Sequence, residues 1–449
     1  MKSGRLMIWL LKLQHSLIIA FALVVLPFFQ AYSQSIGNEW INHTQYYYKL
    51  QVVEEGVYRI PYNVMANAGI PLGTFDPRSF QVFRQGVEQA IFVQNEQSGT
   101  FLPGDYIEFY GKANDGLLDE NLYKGAENHP NPNYSLFNDT ATYFITWNNS
   151  LNNKRINLET DVDFDPYTPL PYFYFESLQN YKNAYFAGET NLYGVTDPEY
   201  VPTEGWFDNG FNLGQSITKN INTPNCVLSG GTARLRFNLI GASNFRTLTL
   251  DHHVRVQFSG HTIDTIFEGY QLLKFDLQIP ASGFPTETTP IIFSSINDLG
   301  SGADRNTVSF ISLIYPRSFA LDNISSLRMI VQDGSQGKAL LAMNNLNILD
   351  SDIAWILDLT NNRKIPVVKQ NTVFKALVPN SGGLKNCYLY AESKVKTISS
   401  IRPVGGVGSE PGRFKNYASA QNLNSDFIII AHSLLFTEAE QYASYRNTM

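Results

Sequence analysis

The run Arg234-Leu235-Arg236-Phe237-Asn238-Leu239 alternates polar and apolar side chains without a break. Successive side chains of a strand point to opposite faces, so Leu235, Phe237 and Leu239 share one face and Arg234, Arg236 and Asn238 the other. Two further runs repeat the pattern. Val254, Val256 and Phe258 alternate with His253, Arg255 and Gln257; Leu273, Phe275, Leu277 and Ile279 alternate with Lys274, Asp276 and Gln278. One buried and one solvated face is the mark of antiparallel sheets, and several such strands predict a β-sandwich or jelly roll over 172–394. Near Thr307–Tyr315 the alternation slips, which predicts a bulge or a strand covered on both sides.

Upstream, a second β region is expected over 34–153. Tyr46–Val53 and Val57–Ile60 flank Glu54-Glu55-Gly56 and read as a hairpin, as do Ser79–Arg84 and Val87–Gln94 around Gln85-Gly86. Between them Asn63–Ala68 predicts one helical turn closed by Gly69. Asp105–Tyr110 and Thr142–Trp147 add two aromatic-rich strands. The polar, proline-dotted stretch 154–171 reads as a linker, and 395–425, with glycine-rich Pro403–Gly412, as a flexible connecting segment.

The last stretch has a different character. Asp426-Phe427-Ile428-Ile429-Ile430-Ala431-His432 has the continuous apolar pattern of a strand buried on both faces. In Thr437–Arg446, Ala439, Tyr442 and Ala443 share a helical face, and Thr437 with Glu440 has capping-box spacing. A strand feeding a helix predicts the first β-α unit of a truncated α/β domain over 426–449. Fold class is therefore mainly β, closing on that unit.

At the other end, Lys2, Arg5 and Lys12 precede the apolar Leu17–Phe29, and Ala31-Tyr32-Ser33 is a small-x-small cleavage site. Residues 1–33 read as an export signal rather than an anchor, because the apolar core is short of the roughly 20 residues a span needs and Pro27 interrupts it. Charged residues are 16% of the chain, against about 25% in an average globular protein. There are 25 Tyr and 30 Phe to build cores. A net charge of -7 with no Lys/Arg cluster excludes a nucleic-acid surface.

Cys226 and Cys387 are the only cysteines. Export and an even count permit a bridge closing a loop of about 160 residues, which would be entropically worthwhile; two unrelated buried thiols are the alternative. Neither has the neighbours of a zinc site.

Several phrases, in order, point to one family. Gly37-Asn38-Glu39-Trp40-Ile41 leads to Tyr47-Tyr48-Lys49-Leu50 and Glu55-Gly56-Val57-Tyr58-Arg59-Ile60. Gly104-Asp105-Tyr106-Ile107-Glu108-Phe109-Tyr110-Gly111 and Asn114-Asp115-Gly116 follow, then Tyr143-Phe144-Ile145-Thr146-Trp147. Trp355-Ile356-Leu357-Asp358-Leu359-Thr360 precedes Ile428-Ile429-Ile430-Ala431-His432-Ser433. The series, from Gly37 to Met449, resembles the N-terminal portion of the type IX secretion system sortases, exported proteins whose later part is a gingipain-type, caspase-like cysteine peptidase domain. That resemblance implies thiol attack on a peptide bond to remove the C-terminal sorting domain of cargo. It implies protein cargo or secretion-system components as partners, and the periplasm, outer membrane or surface of a Gram-negative bacterium as location. The family's catalytic His-Gly and Cys belong beyond Met449, so no catalytic residue, cofactor or metal is expected within these residues.

Weaker candidates remain. His432 ends the expected strand, where α/β proteins gather their sites, yet the resembled family often has a non-catalytic histidine there. Cys226 or Cys387 with His252, His253 or His432 would make a nucleophile-base pair only by a coincidence of fold. Asn114, Asp115, Asp119 and Glu120 form an acidic loop with oxygen ligands for calcium, or simply a solvated turn. The competing reading of the whole chain is a cell-surface β-sandwich binding module for carbohydrate or protein. That reading leaves the terminal strand and helix without a surface to bury against.

Overall fold

The computed structural model describes residues 37–191, 193–196, 199–405, 410–417 and 427–448. The export signal expected at 1–33 lies outside them. So does Asp426. By compactness Met1–Asn42 is one unit, whose described part is a turn with Ile41 N–H donating to Asn38 O at 3.0 Å. His43–Met449 is the other.

The second unit is mainly β, as expected. It opens with β1 (Tyr47–Val52), β2 (Gly56–Pro61), helix α1 (Tyr62–Asn67), β3 (Phe80–Arg84), β4 (Val87–Gln89), β5 (Ile91–Val93), β6 (Tyr106–Gly111) and β7 (Ala141–Trp147). Short β8 (Asn157–Leu158) and long β9 (Phe173–Asn180) follow, then β10 (Ala184–Ala187), β11 (Glu204–Phe207), β12 (Phe211–Asn212) and β13 (Ser216–Asn222). The alternating runs become β14 (Thr232–Gly241), β15 (His252–Phe258), β16 (His261–Phe267) and β17 (Leu272–Pro280), with β18 (Thr288–Ser295) and β19 (Arg305–Arg317) after them. The series ends with β20 (Ala320–Ile324), β21 (Ser326–Val331), β22 (Lys338–Leu346), β23 (Ala354–Asp358), β24 (Arg363–Gln370), β25 (Val373–Pro379), β26 (Lys385–Ala391), β27 (Lys396–Thr397), β28 (Arg402–Pro403) and helix α2 (Phe436–Arg446).

A five-stranded sheet in the order β28-β1-β7-β3-β4 and a four-stranded sheet in the order β27-β2-β6-β5 enclose the first core. Leu50, Val52, Ile60, Phe80, Val82 and Phe109 are essentially inaccessible within it. The predicted β1–β2 hairpin does not form. Both strands exist, but β1 pairs with β7 and β2 with β6, in opposite sheets. Tyr48, Leu50 and Val52 of β1 and Tyr58 and Ile60 of β2 all enter one core. Burying those faces against each other outweighs pairing their edges. The second hairpin does form, with Arg84 opposite Val87 and positive φ at Gln85 (49°) and Gly86 (80°), the geometry of a type I′ turn. Past Gln89 the chain leaves that sheet, and β5 pairs with β6 instead. The helical turn is α1, followed by Gly69 at φ 83°.

Thirteen of the remaining strands build one large sheet, in the order β17-β14-β19-β9-β21-β26-β23-β24-β25-β22-β20 with β12 and β8 attached, and β10 and β11 pair with each other separately. Its first part faces the sheet β13-β18-β15-β16, giving the sandwich predicted from the alternation. Leu235, Phe237 and Leu239 are buried there against Val254, Val256 and Phe293, and the Phe237 and Phe293 rings meet edge-on at 5.5 Å. The slip at Thr307–Tyr315 is both things at once. The register shifts between Asn238 and Leu239 opposite Phe310 and Val308, and β19 is buried along nearly its whole length. The second part of the sheet encloses a separate core around Met329, Leu341, Ile356, Ile365 and Leu389.

Residues 154–171 pack on the body: β8 pairs with β24, and Phe164 is buried beside Leu340 and Leu377. The segment after β26 returns to the first core, with β27 running parallel to β2 and β28 antiparallel to β1. Gly412 N–H donates to Val404 O at 2.6 Å, and Tyr47 N–H to Gly412 O at 2.7 Å. These ends of Pro403–Gly412 are therefore bonded rather than loose; 406–409 lie outside the described residues.

The terminal β-α unit is corrected in its first half. Phe427–His432 is irregular, with Ile428 79% and Ile430 96% exposed. An apolar run becomes a buried strand only beside other strands, and none among the described residues pairs with it. Helix α2 forms as predicted, but it begins at Phe436 and carries no side-chain cap, so the Thr437/Glu440 capping box is absent. A 3-10 turn, Ser433–Leu435, precedes it instead. No helix among the described residues is long and apolar enough to cross a membrane.

One buried ion pair joins the first core region to the large sheet. Glu108 on β6 accepts from Lys364 Nζ at 2.7 Å, from Arg59 at 2.6 Å and from the Tyr390 hydroxyl at 3.0 Å. Burial alone would raise the Glu108 pKa, but Lys364 and Arg59 overcome it and hold the carboxyl below its ordinary value. A depressed folded-state pKa contributes stability above the unfolded carboxylate value, about 4.3, that is lost as pH falls through the lower folded value. Glu108→Gln should therefore cost about 3–5 kcal/mol at neutral pH, by leaving Lys364 buried and unpaired. Urea unfolding at a series of pH values should show that the deficit shrinks below about pH 4.

Candidate functional site

Cys226 and Cys387 lie against different cores. Both are free thiols, so no bridge joins them. Cys226 is half-buried against the sandwich core, and Cys387 is buried in the neighbouring core on β26. Each sits where its own strand or turn places it. Burial pushes the Cys226 thiol up to about 11 and raises Cys387 well above its ordinary value. The thiolate is the nucleophile, so both environments oppose nucleophilic use.

The histidines are engaged elsewhere. His252 on β15 is fully buried and stacks on Phe267 at 4.7 Å. Its Nε2 donates to Ser243 O at 2.9 Å, and its Nδ1 lies 2.6 Å from Asp304 Oδ1. Ser295 Oγ donates to the other Asp304 oxygen at 2.6 Å. Burial lowers the His252 pKa, but Asp304 and the Ser243 carbonyl raise it more, and the net direction is up. Asp304 moves down: burial opposes the charge, and the His252 and Ser295 bonds prevail. His253 points to the other face and meets Asp298 at 2.9 Å and Asp264 at 3.2 Å. No cysteine–histidine hydrogen bond occurs among the described residues. His432 is exposed, and its Nδ1 accepts from Leu434 N–H at 3.2 Å, capping the 3-10 turn.

The acidic loop is tied to protein donors. Asp115 accepts from Arg84 at 2.8 Å, and Asn114 Nδ2 donates to Asn138 O at 3.2 Å. Asp119 is buried and accepts from Leu136 N–H at 2.7 Å. Glu120 lies half-buried on the 3-10 turn Asp119–Leu122. No cluster of three His, Cys, Asp or Glu side chains suited to a metal is found among the described residues.

What the fold does assemble is a cavity of about 350 Å³ between the small sheets and the large one. The β3–β4 turn brings Arg84, the end of β6 brings Tyr110 and Lys112, and β21 brings Arg328. The β23–β24 turn supplies Asp358, Thr360 and Asn362, and β26 supplies Asn386. Tyr143 closes one wall: Lys112 N–H donates to its hydroxyl at 2.9 Å, and burial pushes that hydroxyl up to about 12. Burial pushes the Lys112 ammonium down, and the neighbouring Arg328 and Arg84 charges push it further than Glu55 and Asp115 restore it. Asp358 turns its oxygens into its own turn, accepting from Thr360 and Asn361 N–H at 3.0 Å each. None of these residues was a sequence candidate. They come from six separate segments, none carrying more than three of them, and no spacing announces such a set.

No family model matches the chain, and no curated protein matches its sequence. Its fold is similar to that of the dimeric latent PorU of Porphyromonas gingivalis, with 13% identity and a TM-score of 0.51 over 90% of this chain. The chain spans 36% of the length of that structure. The CBM36-1 domain of a multidomain xylanase from the Trinervitermes trinervoides hindgut metagenome is 12% identical over 31% of this chain and 95% of that domain. TmCBM61 in complex with β-1,4-galactotriose is 13% identical over 35% of this chain and 98% of its own. Both have a TM-score of 0.18. The first likeness is one of fold.

The thiol environments have a direct test. At pH 7.5 iodoacetamide should alkylate Cys226 on the order of a hundredfold more slowly than a free thiol of pKa about 8.5, and Cys387 only on unfolding. Time-resolved mass spectrometry of the labelled chain measures both; rapid native labelling of either would refute this account of the cores.

Proposed function

We propose that this chain is the non-catalytic N-terminal portion of an exported type IX secretion protein, one that carries a gingipain-type cysteine peptidase domain. The observation that supports it is the likeness to latent PorU, which extends over 90% of these residues. The ordered phrases from Gly37-Asn38-Glu39-Trp40-Ile41 to Ile428-Ile429-Ile430-Ala431-His432-Ser433 point the same way.

On this reading, 34–153 and 172–394 are the β domains that hold the peptidase domain and dock cargo or secretion-system components, with 154–171 between them. Residues 395–425 lead into the peptidase domain, which begins at 426. The place of work is the periplasm, outer membrane or cell surface. The chemistry is attack of a cysteine thiolate on the bond before a cargo sorting domain, assisted by histidine. Neither Cys226 nor Cys387 serves as that nucleophile, given their burial and the absence of a histidine partner among the described residues.

Purified chain mixed with a cargo protein bearing its sorting domain should bind it without cleaving it. Mass spectrometry of the mixture reads cleavage, and a pull-down reads binding. Cleavage abolished by Cys226→Ala or Cys387→Ala would overturn the assignment of a non-catalytic role. Coding sequence beyond codon 449 should supply an in-frame His-Gly and a later Cys; a reading frame with no such residues would remove the peptidase domain from the proposal. The self-sufficient binding module is the second reading, and the cavity beside Lys112 is the feature that favours it.

A further inference from the structure

The cavity between the small sheets and the large sheet is unbalanced in charge. Three cations line it, Arg84, Lys112 and Arg328. Arg84 is matched by Asp115 at 2.8 Å, but its buried Nε has no partner among the described residues. Among the described residues Lys112 and Arg328 make no ion pair. Among those residues the Lys112 ammonium lies 5.9 Å from the centre of the Tyr110 ring, the outer limit of a useful cation-π contact, and it feels the Glu55 and Asp115 charges without pairing to either. Both cations are half-buried, where an uncompensated cation is costly. The carboxylate that lines the cavity, Asp358, spends its oxygens on Thr360 and Asn361. Glu55 accepts from the Tyr110 hydroxyl at the rim.

The rest of the lining is of another kind. Asn362, Asn386 and Gln89 offer amides, while Tyr110, Leu357 and Ile156 offer flat or apolar surface. A volume of about 350 Å³ sits at the small end of the range for ligand pockets and has room for a single ring. A pocket lined by cations without ion pairs, by amides and by an aromatic wall matches a compact ligand with one oxyanion and several hydroxyls.

We propose that this cavity is a binding site for an acidic monosaccharide, whose carboxylate meets Lys112 and Arg328 and whose hydroxyls meet Asn362 and Asn386. The site is independent of the proposed place of the chain in secretion. It requires only the two β regions that form its walls. Charge-assisted hydrogen bonds to the carboxylate supply the affinity, and the amides select for the sugar. Lys112 gains most, because a bound carboxylate offsets the Arg84 and Arg328 charges that crowd it.

Isothermal titration of the intact chain with D-glucuronate, D-glucose and inorganic phosphate tests this. Glucuronate should bind saturably, at least about tenfold more tightly than either glucose or phosphate, and more weakly as salt rises. Arg328→Gln and Lys112→Gln should each weaken it about tenfold or more with an unchanged melting temperature. Asn386→Ala should weaken glucuronate and leave phosphate unchanged, which keeps the test decisive should a cation variant fail to fold. Absence of saturable glucuronate binding, equal binding of glucose, tighter binding of phosphate, or indifference to all three substitutions would each overturn the proposal.

Discussion

The Glu108 carboxylate is almost wholly inaccessible, and it lies where three pieces of chain distant in sequence converge. Lys364 reaches it from β24, Arg59 from β2 and Tyr390 from β26. The lysine is itself buried, with its ammonium over the Trp355 ring at 4.6 Å and the Phe92 ring at 4.9 Å. A charge taken out of water must be met by opposite charge and by enough donors. Here that requirement can be satisfied only when the first core and the large sheet stand in one relative placement, because Glu108 and Lys364 belong to different sheets. Hydrophobic burial makes each core; this pair makes their register specific. That is the use of a buried ion pair best supported in general, and it contributes more to uniqueness than to net stability.

The cavity is a consequence of that placement. Its walls are the β3–β4 turn, the end of β6, the turn between β23 and β24, and the starts of β21 and β26. Glu108 and Lys112 leave the same strand or its end four residues apart, so the contact that locks the sheets also sets the Lys112 ammonium at the mouth between them. Arg59 extends the lock outwards, bridging Glu108 and Glu392 while its guanidinium lies over the Tyr106 ring at 3.8 Å. The cavity and the architecture are thus linked through one strand, β6.

The buried His252–Asp304 pair shows how chemistry-bearing residues can be structural. Donor, acceptor and serine are close enough to suggest a relay. Yet both ring nitrogens and both carboxylate oxygens are already satisfied by the protein, and His252 and Asp304 are sealed from solvent. Its two shifts act at opposite ends of the pH scale. The raised histidine holds its contribution below its unfolded pKa and loses it as pH rises through the folded value. The lowered aspartate holds its contribution above its unfolded pKa and loses it as pH falls through the folded value. Between those limits the pair pins β15 to the segment before β19.

What the amino-acid sequence determined by itself was most of the local structure, the Thr437/Glu440 cap excepted. Period-two alternation in Leu235-Arg236-Phe237 and its neighbours specified strands, faces and core residues, because a pleated strand has only two sides. Gln85-Gly86 specified its turn, since Gly86 takes a positive φ without steric cost between two strand-forming runs. Failures arose wherever a residue's fate depended on a partner far along the chain. Gly56 separates β1 from β2, but which sheet each joins was decided by β6 and β7. The apolar Ile428–Ile430 has no strand paired with it among the described residues, and pattern cannot provide one. Arg84, Lys112 and Arg328 are unremarkable in sequence, because a cation's importance depends on whether a counter-charge stands beside it. Only tertiary structure decides that, since it alone determines which groups lose their water together.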